Sequence, residues 1–311
     1  MRNNERIVLE RMLFLTDLTP GSTDALAHAV ALARAYGAKL WLCHSIGSRP
    51  GYGASDDARR LLGEMMAEQN LTDTAAPFDW EAVVVEGDTA TEVARVAAEQ
   101  RIDLIVAYSR KIPRATSLLN SAAEAITRTA PCPVLSIHQG HSADGISTSG
   151  IGFKRILVAY DFSGDSELAL TYGLSLAQEF QSELHLIHVL SPTPKAIPSE
   201  APLVLASSEN AFQMAAKRLS NVVPAETHLW SEVKQVVSQG LPYREILAYA
   251  RENEIDLICI GASGAGFGLW ALFGSNTDRI LRQAACPVLI ARPLRPVTDK
   301  ASITVKCQVA S

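Results

Sequence analysis

The sequence lacks the features that mark several classes of protein. Its apolar runs, such as Ile156–Tyr160, are far shorter than the roughly 20 residues that a membrane-spanning helix needs. Lysine and arginine together number 28 against 33 for aspartate and glutamate, which argues against a basic nucleic-acid-binding face. The start of the chain has no apolar segment followed by a small-residue cleavage site. We therefore expect a cytoplasmic protein with no membrane span and no nucleic-acid partner.

Cysteine pairs and metal-binding clusters are also missing. The chain contains five cysteines, none in a Cys-x-x-Cys pair: Cys43, Cys132, Cys259, Cys286 and Cys307. Because the first four lie in apolar, strand-like runs, buried reduced thiols are expected rather than disulfides or metal ligands. His44 and His188 have no recognisable cluster of partners, which favours packed or hydrogen-bonded strand histidines.

An internal repeat organises the chain. A shift of 144 residues pairs Asp17 with Asp161, and the register continues without a gap for about thirty residues. A shift of 153 matches two Ile-Asp-Leu-Ile segments, and a shift of 154 pairs Cys132 with Cys286 near the end of each copy. Two homologous domains therefore follow one another.

Each copy alternates short, apolar, β-rich runs with longer helical patterns. The alternation predicts an α/β fold with two tandem Rossmann-like domains, each a five-stranded parallel sheet flanked by helices. The helix after the first strand of the second copy is expected to begin at an N-cap Ser163. The strands of the second copy are predicted near 155–160, 183–190, 227–237, 256–261 and 286–291.

The repeat also sets the domain boundaries. Residues 1–138 form the first predicted domain, 139–153 a Gly- and Ser-rich linker, and 154–293 the second domain. Residues 294–311 form a tail, read either as an added edge strand or as disordered. The last strands of the two copies are expected to pair around a pseudo-twofold axis, so that one chain imitates a dimer of single domains. A homodimer of the whole chain is left open.

A glycine-rich loop follows the fourth predicted strand of the second copy. Gly261 and Gly264 are separated by two residues, and nine more precede Gly274-Ser275, which opens a helix. Glycine permits close approach of the backbone, and a helix start offers free N–H groups and a positive dipole end, which suits a phosphate. Asp161 ends the first strand at the carboxyl edge, where open α/β sheets hold ligands and where a carboxylate can accept hydrogen bonds from adenine or ribose.

Taken together, these residues resemble the universal stress protein family. The resemblance rests on Asp161 with Ser163, on His188-Val189, on the Gly-x2-Gly-x9-Gly-Ser loop and on Cys286-Pro287-Val288, and it covers both copies. It implies that the loop cradles phosphates and ribose while the ends of the first two strands frame an adenine. ATP is the implied ligand, with ADP or AMP as alternatives and Mg²⁺ possible beside ATP. The implied binding residues are Ala159, Tyr160, Asp161, Val189, Gly261, Ala262, Gly264, Gly274, Ser275 and Asn276.

Both copies depart from the family pattern. In the first, Tyr108 and Lys111 stand in place of Gly261 and Gly264, and the third loop glycine is missing too. We therefore expect the first domain to be degenerate and structural. In the second, the loop carries no Lys, Arg or His, so binding of the adenosine moiety is expected to be stronger than recognition of a triphosphate.

The resulting hypothesis is a cytoplasmic stress-response or regulatory protein whose second domain binds an adenine nucleotide and whose state is read by an unidentified protein partner. Neither a Ser-His-Asp arrangement, nor a Walker lysine, nor a metal-binding carboxylate cluster can be assigned. Two alternatives stay open. One is a slow ATPase that acts as a switch. The other is a structural or lipid-handling protein with a vestigial loop, favoured by the apolar stretch 267–273.

Overall fold

The structure, a computed structural model, describes residues 6–47, 51, 53–69, 78–109, 122–138, 152–191, 201–264 and 273–294. Most of the predicted linker (139–151) and the tail beyond residue 294 lie outside these residues, as does the stretch 267–272. No helix within the described ranges is both long and apolar enough to cross a membrane.

The first half alternates strands and helices as the repeat predicts. Its elements are β1 (Arg11–Thr16), α1 (Pro20–Tyr36), β2 (Lys39–Ser45), α2 (Ala54–Ala67), β3 (Trp80–Val85), α3 (Thr89–Glu99), β4 (Leu104–Ser109), α4 (Ala122–Thr129) and β5 (Val134–His138).

The second half repeats the order. Its elements are β6 (Arg155–Ala159), α5 (Gly164–Phe180), β7 (Glu183–Leu190), α6 (Ala201–Ser220), β8 (Val233–Gln239), α7 (Pro242–Glu252), β9 (Leu257–Gly261), α8 (Ser275–Gln283) and β10 (Val288–Ala291). The third strand, β8, begins later than the predicted 227–237, because residues Ala225–Leu229 form a 3-10 helix before it.

All ten strands belong to one sheet, in the order β3-β2-β1-β4-β5-β10-β9-β6-β7-β8. Neighbours within each half are parallel, whereas β5 and β10 pair antiparallel, with Leu135 opposite Leu289. The expected pairing of the two last strands is confirmed, as is the α/β fold class. In each half the chain order reverses beside the first strand, between β1 and β4 and between β6 and β9, which places a ligand-binding crevice at the carboxyl ends of those strands.

Alternate strand residues supply cores on both faces of the sheet. On one face, Met12 and Phe14 belong to a core that includes residues of α1, α2 and α5 and is continuous across the two halves. On the other, Leu13 and Leu15 pack with residues of α3 and α4, and α7 and α8 cover a separate core in the second half. Burial on both faces explains why the strands read as nearly continuous apolar runs.

A ring of four charges joins α4 and α8 across the β5–β10 junction. Glu124 and Arg128 on α4 are the repeat equivalents of Asp278 and Arg282 on α8. Each arginine pairs with the acid of its own helix, at 3.3 Å for Arg128 to Glu124 and 3.1 Å for Arg282 to Asp278, and also with the acid of the other helix. The pairing is therefore reciprocal, as a pseudo-twofold axis requires. The arginines are about two-fifths exposed, so the ring fixes register more than it adds stability.

Arg292 makes buried hydrogen bonds across this junction. It follows β10, is 4% exposed, and donates from Nη1 to the carbonyl oxygens of Ala130 (3.1 Å) and Arg128 (3.3 Å). Its Nη2 donates to the carbonyl oxygen of Thr127. The last carbonyl groups of a helix have no intrahelical partner and form its negative end. A guanidinium from the second half thus caps the C-terminus of α4 in the first.

We predict that Arg292→Met lowers the free energy of unfolding by about 3 kcal/mol, because it leaves buried carbonyl groups of α4 without their charged donor. Urea unfolding followed by circular dichroism measures the change. The control is Arg60→Met, whose exposed pair with Glu64 should contribute less than about 1 kcal/mol. Equal, small losses in both variants would contradict the proposed capping.

Helix α5 begins directly against the end of β9. A Cβ atom on Gly261 would stand 2.8 Å from the Cβ of Asp165 and 2.9 Å from its carbonyl carbon, closer than atoms pack. The missing side chain brings the first turn of α5 onto the strand end. There the Asp165 carboxylate accepts a hydrogen bond from the Ser263 N–H at 2.9 Å. Gly261 is therefore required by helix packing, independently of any ligand.

In the first half, the large and small residues at the equivalent contact between strand end and helix start are exchanged. Tyr108 holds the Gly261 position at the end of β4, and Gly21 holds the Asp165 position at the start of α1. A Cβ on Gly21 would stand 2.1 Å from the Tyr108 Oη atom. The ring of Tyr108, 8% exposed, thus packs against the first turn of α1, where the second half has only a glycine on its strand.

We predict that Gly21→Ala lowers the free energy of unfolding by about 1–3 kcal/mol, because the added methyl group overlaps the Tyr108 ring. In a Tyr108→Ala background the same change should be nearly neutral, since the methyl group then has room. Urea unfolding of the wild-type chain, both single variants and the double variant gives the coupling energy. A loss of the same size in both backgrounds would refute the contact.

Candidate functional site

A cavity of about 450 Å³ opens at the carboxyl edge of the second half, where β6 and β9 are neighbours. Nine of the ten residues predicted from the sequence line it: Ala159, Tyr160, Asp161, Val189, Gly261, Gly264, Gly274, Ser275 and Asn276. Four separate segments of the chain thus converge on one space. The strand-order reversal and the glycine-rich loop lie at the same place, as the sequence analysis expected.

The turn after β6 fixes the Asp161 carboxylate. Its Oδ1 accepts hydrogen bonds from the Ser163 N–H at 3.1 Å and from the Ser163 hydroxyl at 2.5 Å. Ser163 in turn caps α5 by accepting from the Ser166 N–H at 3.2 Å, so the predicted N-cap is confirmed. Phe162, between them, has φ of 64°, a left-handed conformation that is rare for a bulky residue.

The same turn recurs in the first half, where Asp17 binds Thr19 with the same two distances and Leu18 has φ of 59°. The turn is therefore part of the fold. Its contribution to the cavity is the position of the second carboxylate oxygen, Oδ2 of Asp161. A Cβ on Gly264 would stand 2.7 Å from that atom. Glycine at 264 lets the loop backbone approach the carboxylate.

Backbone hydrogen bonds hold both ends of the loop. The Ala262 N–H donates to the Ala291 carbonyl oxygen at 2.8 Å, and the Ala262 carbonyl oxygen accepts from the Gly274 N–H at 2.9 Å. The Thr277 hydroxyl donates to the Gly261 carbonyl oxygen at 2.9 Å. Ala262 is buried, and it does not line the cavity as the other nine predicted residues do. Its backbone groups tie the loop to β10 and to the start of α8.

The start of α8 faces the cavity. Gly274 is its N-cap and supplies no capping side chain, while Ser275 and Asn276 begin the helix. The first N–H groups of a helix have no intrahelical acceptor, and they carry the positive end of the helix dipole. This end of the cavity can therefore bind an anion.

His188 is both a strand histidine and a cavity residue. Its Nδ1 lies 2.7 Å from the carbonyl oxygen of Tyr160, so this nitrogen carries the proton and donates. His44 makes the equivalent contact with Thr16 at 2.9 Å, which confirms the predicted hydrogen-bonded role of both histidines. The Phe162 ring centroid lies 4.7 Å from that of His188, and the Arg218 guanidinium stands 3.8 Å over the Phe162 ring.

Several cavity residues were missed in the sequence. Ser166 comes from the first turn of α5, Ile187 and Ile260 from the strand ends, and Pro242 and Ile246 from α7. The strand positions could have been found, since each lies within two residues of a predicted site residue. The α7 residues carry no local signal. They reach the cavity because α7 starts at the carboxyl end of β8, two strands from β6.

The four cysteines that the structure describes are buried, as their apolar sequence context predicts. Cys43, Cys132, Cys259 and Cys286 form no disulfide within the described residues, and burial raises the pKa of the Cys43 and Cys132 thiols to about 12. Thiols with such a raised pKa are poor nucleophiles at neutral pH. Cys307 lies outside the described residues. Within the described part of the chain, no group of three or more His, Cys, Asp or Glu residues could hold a metal ion.

Of the apolar stretch 267–273, the structure describes Phe273 alone. Phe273 packs partly on the core beneath α7 and α8. Its ring also faces the Arg128 guanidinium of the first half, 5.3 Å from the ring centroid. Phe273, which directly precedes the N-cap of α8, is therefore in contact with the charge ring that joins the two halves.

Comparisons with known proteins match this architecture. The model of the Universal stress protein family matches residues 9–138 and 152–292, one match for each half. A universal stress protein of Methanocaldococcus jannaschii is 28% identical over 144 residues, which cover 45% of this chain and 82% of the relative. One from Mycobacterium tuberculosis is 28% identical over 183 residues, 56% of each chain.

A solved structure shares the fold over nearly the whole length. The crystal structure of a universal stress protein from Archaeoglobus fulgidus aligns with a TM-score of 0.58 and covers 94% of this chain and 99% of its own, at 23% identity. At that identity the likeness concerns the fold alone. Because the family model matches both halves, this chain belongs to the universal stress protein family, as a member with two tandem domains.

Proposed function

We propose that the second domain binds an adenine nucleotide, ATP or its relatives ADP and AMP, and that the chain acts in the cytoplasm as a stress-response regulator. The observation that carries the proposal is the convergence of nine predicted residues on one cavity beside a helix start. The family resemblance supports the same ligand. The first domain is proposed to be structural, because Tyr108 replaces the first loop glycine.

The cavity has groups for each part of a nucleotide. The N–H groups at Ser275 and Asn276 suit a phosphate, and the glycines at 264 and 274 leave the loop backbone open to close approach. Ile187, Val189, Ile246 and Ile260 line the cavity with apolar surface on which an adenine ring can pack. A volume of about 450 Å³ lies within the usual range of small-molecule sites.

The charges near the cavity favour adenosine over a long phosphate chain. Two carboxylates, Asp161 and Asp165, stand at the loop, and Asp165 already binds the Ser263 N–H. The described residues that line the cavity include no lysine or arginine. We therefore expect the adenosine moiety and one phosphate to supply most of the binding free energy. Mg²⁺ would be bound mainly through the phosphates of ATP.

The proposed role is that of a binding module whose occupancy is read by a partner. Catalysis by a side chain would need a base within hydrogen-bond reach of an attacking water. His188 lines the cavity, and because its Nδ1 donates a hydrogen bond to the Tyr160 carbonyl group, the Nε2 lone pair is the candidate base. A slow ATPase is accordingly the alternative to be tested, by the release of phosphate.

We predict that Gly264→Ala lowers the affinity for the nucleotide at least about tenfold, because the methyl group displaces the Asp161 carboxylate and blocks the loop. Calorimetric titration of ATP, ADP, AMP and cyclic AMP into nucleotide-free protein, with Mg²⁺, measures it. One site per chain is expected. The thermal midpoint should change little, since the contact is with the end of a side chain.

The matched control is Gly164→Ala, three residues from Asp161, where an added Cβ would meet nothing within 4 Å. It should bind like the wild-type chain. Failure of verified nucleotide-free protein to bind any of the four ligands would refute the proposal. A copurified apolar ligand would instead support the lipid-handling alternative, and phosphate release that disappears in Gly264→Ala would support the slow ATPase.

A further inference from the structure

The outer surface of α7 and α8 carries a groove distinct from the cavity. Its volume is about 420 Å³. Its lining is formed by Tyr243, Arg244, Leu247, Ala248, Arg251 and Gln283. Helix α7 also contributes Pro242 and Ile246 to the cavity wall, and α8 contributes Ser275 and Asn276. Each helix therefore has one side toward the cavity and another toward this groove, which we name the arginine groove.

Three exposed arginines give the arginine groove a positive charge. The Nε of Arg244 donates to the Tyr243 hydroxyl at 2.9 Å, and the Arg279 guanidinium lies 4.6 Å from the Tyr243 ring centroid. Arg251 lines the same groove two turns along α7. Within the described ranges, none of the three forms an ion pair with a carboxylate. The hydrogen bond from Arg244 and the nearby charges lower the pKa of Tyr243, which is consistent with a locally positive field in a chain of net charge −5.

The fold does not need these side chains. In the first half, helices α3 and α4 pack in the same arrangement on the sheet. The repeat equivalents of Tyr243, Arg244, Leu247, Arg251, Arg279 and Gln283 are small residues: Ala90, Thr91, Ala94, Ala98, Ala125 and Thr129. The aromatic ring and the three guanidiniums are therefore additions specific to the second half, placed on a helix pair that folds without them.

The spacing of the arginines indicates the shape of the ligand. Arg244 and Arg251 are seven residues apart on one helix, which places them about 10 Å apart along the axis. A peptide in the extended polyproline II conformation advances about 3.1 Å per residue with three residues per turn, so acidic residues three positions apart lie on one side and match this distance. A guanidinium binds a carboxylate through two parallel hydrogen bonds. A single small anion would contact only one of the two.

We propose that the arginine groove binds an extended acidic segment of a partner protein, with carboxylates spaced three residues apart. Arg244 and Arg251 would each bind one carboxylate, and Arg279 would add positive charge beside Tyr243. Leu247 and Ala248 provide an apolar floor between the arginines. The inference does not depend on nucleotide binding, although a partner seated here would contact both helices that wall the cavity.

The test uses the full chain and a fluorescently labelled synthetic peptide with glutamate at every third position. Fluorescence anisotropy at low salt should show saturable binding, which weakens as salt screens the charges. The same peptide with glutamine in place of glutamate should not bind. In the double variant Arg244→Ala, Arg251→Ala the affinity should fall at least about tenfold, with the nucleotide titration unchanged.

The matched control is Arg95→Ala, an exposed arginine on α3 at the position equivalent to Ala248, which should bind the peptide normally. A charge-reversed chain, Arg244→Glu with Arg251→Glu, should lose the glutamate peptide and bind its lysine counterpart, which separates loss of the site from loss of the fold. Equal binding by wild type and the double alanine variant would overturn the proposal. So would an equal loss in Arg95→Ala, or binding of inorganic polyphosphate at this groove without binding of the peptide.

Discussion

The absence of a side chain at residue 261 is the constraint on which the second-half site depends. It allows the first turn of α5 to lie on the end of β9, closer than any Cβ would permit. From that contact follow the hydrogen bond between Asp165 and the loop and the presence of Ser166 in the cavity wall. The first half keeps the Asp turn and the histidine contact, but Tyr108 lies between its strand end and its helix start.

The junction between the halves combines a symmetric and an asymmetric contact. The charge ring repeats each interaction around the pseudo-twofold axis, as two copies of one ancestral surface would. Arg292 breaks that symmetry, because it caps a helix of the first half from the second. Phe273 connects the junction to the loop through Arg128. The two halves therefore share one sheet, and polar contacts specify which helices meet at the junction.

Much of the fold could be predicted because its signals are local or repeated. The apolar runs predict where most strands lie, and the repeat register aligns Asp17 with Asp161. The predicted start of β8 near residue 227 is wrong because Ala225–Leu229 form a 3-10 helix, in which Leu229 is 86% exposed. The resemblance likewise drew attention to nine residues that do line the cavity, since strand ends and a helix start can be recognised in sequence.

The remaining features depend on contacts between distant segments. The contact between Gly21 and Tyr108 joins residues 87 positions apart, and neither residue alone predicts it. The roles of Pro242 and Ile246 depend on where α7 begins relative to β6. Ala262 shows what a sequence motif does not reveal. It lies in the loop as predicted, but its backbone N–H and carbonyl groups hold the loop in place, and its side chain does not line the cavity. In the sequence, Arg292 is a charged residue after a strand, and its capping of α4 depends on the packing of the two halves.

The exchange at Tyr108 also bears on how such a chain would respond to its ligand. A symmetric dimer of single domains presents two equivalent pockets, and coupled pockets can saturate cooperatively. Under the proposed function, in which only the second domain binds the nucleotide, a covalent pair has a fixed stoichiometry of one at any protein concentration. Its occupancy then rises hyperbolically, over nearly two decades of ligand concentration. Under the proposed function, such a protein works as a graded gauge of nucleotide level and not as a sharp threshold.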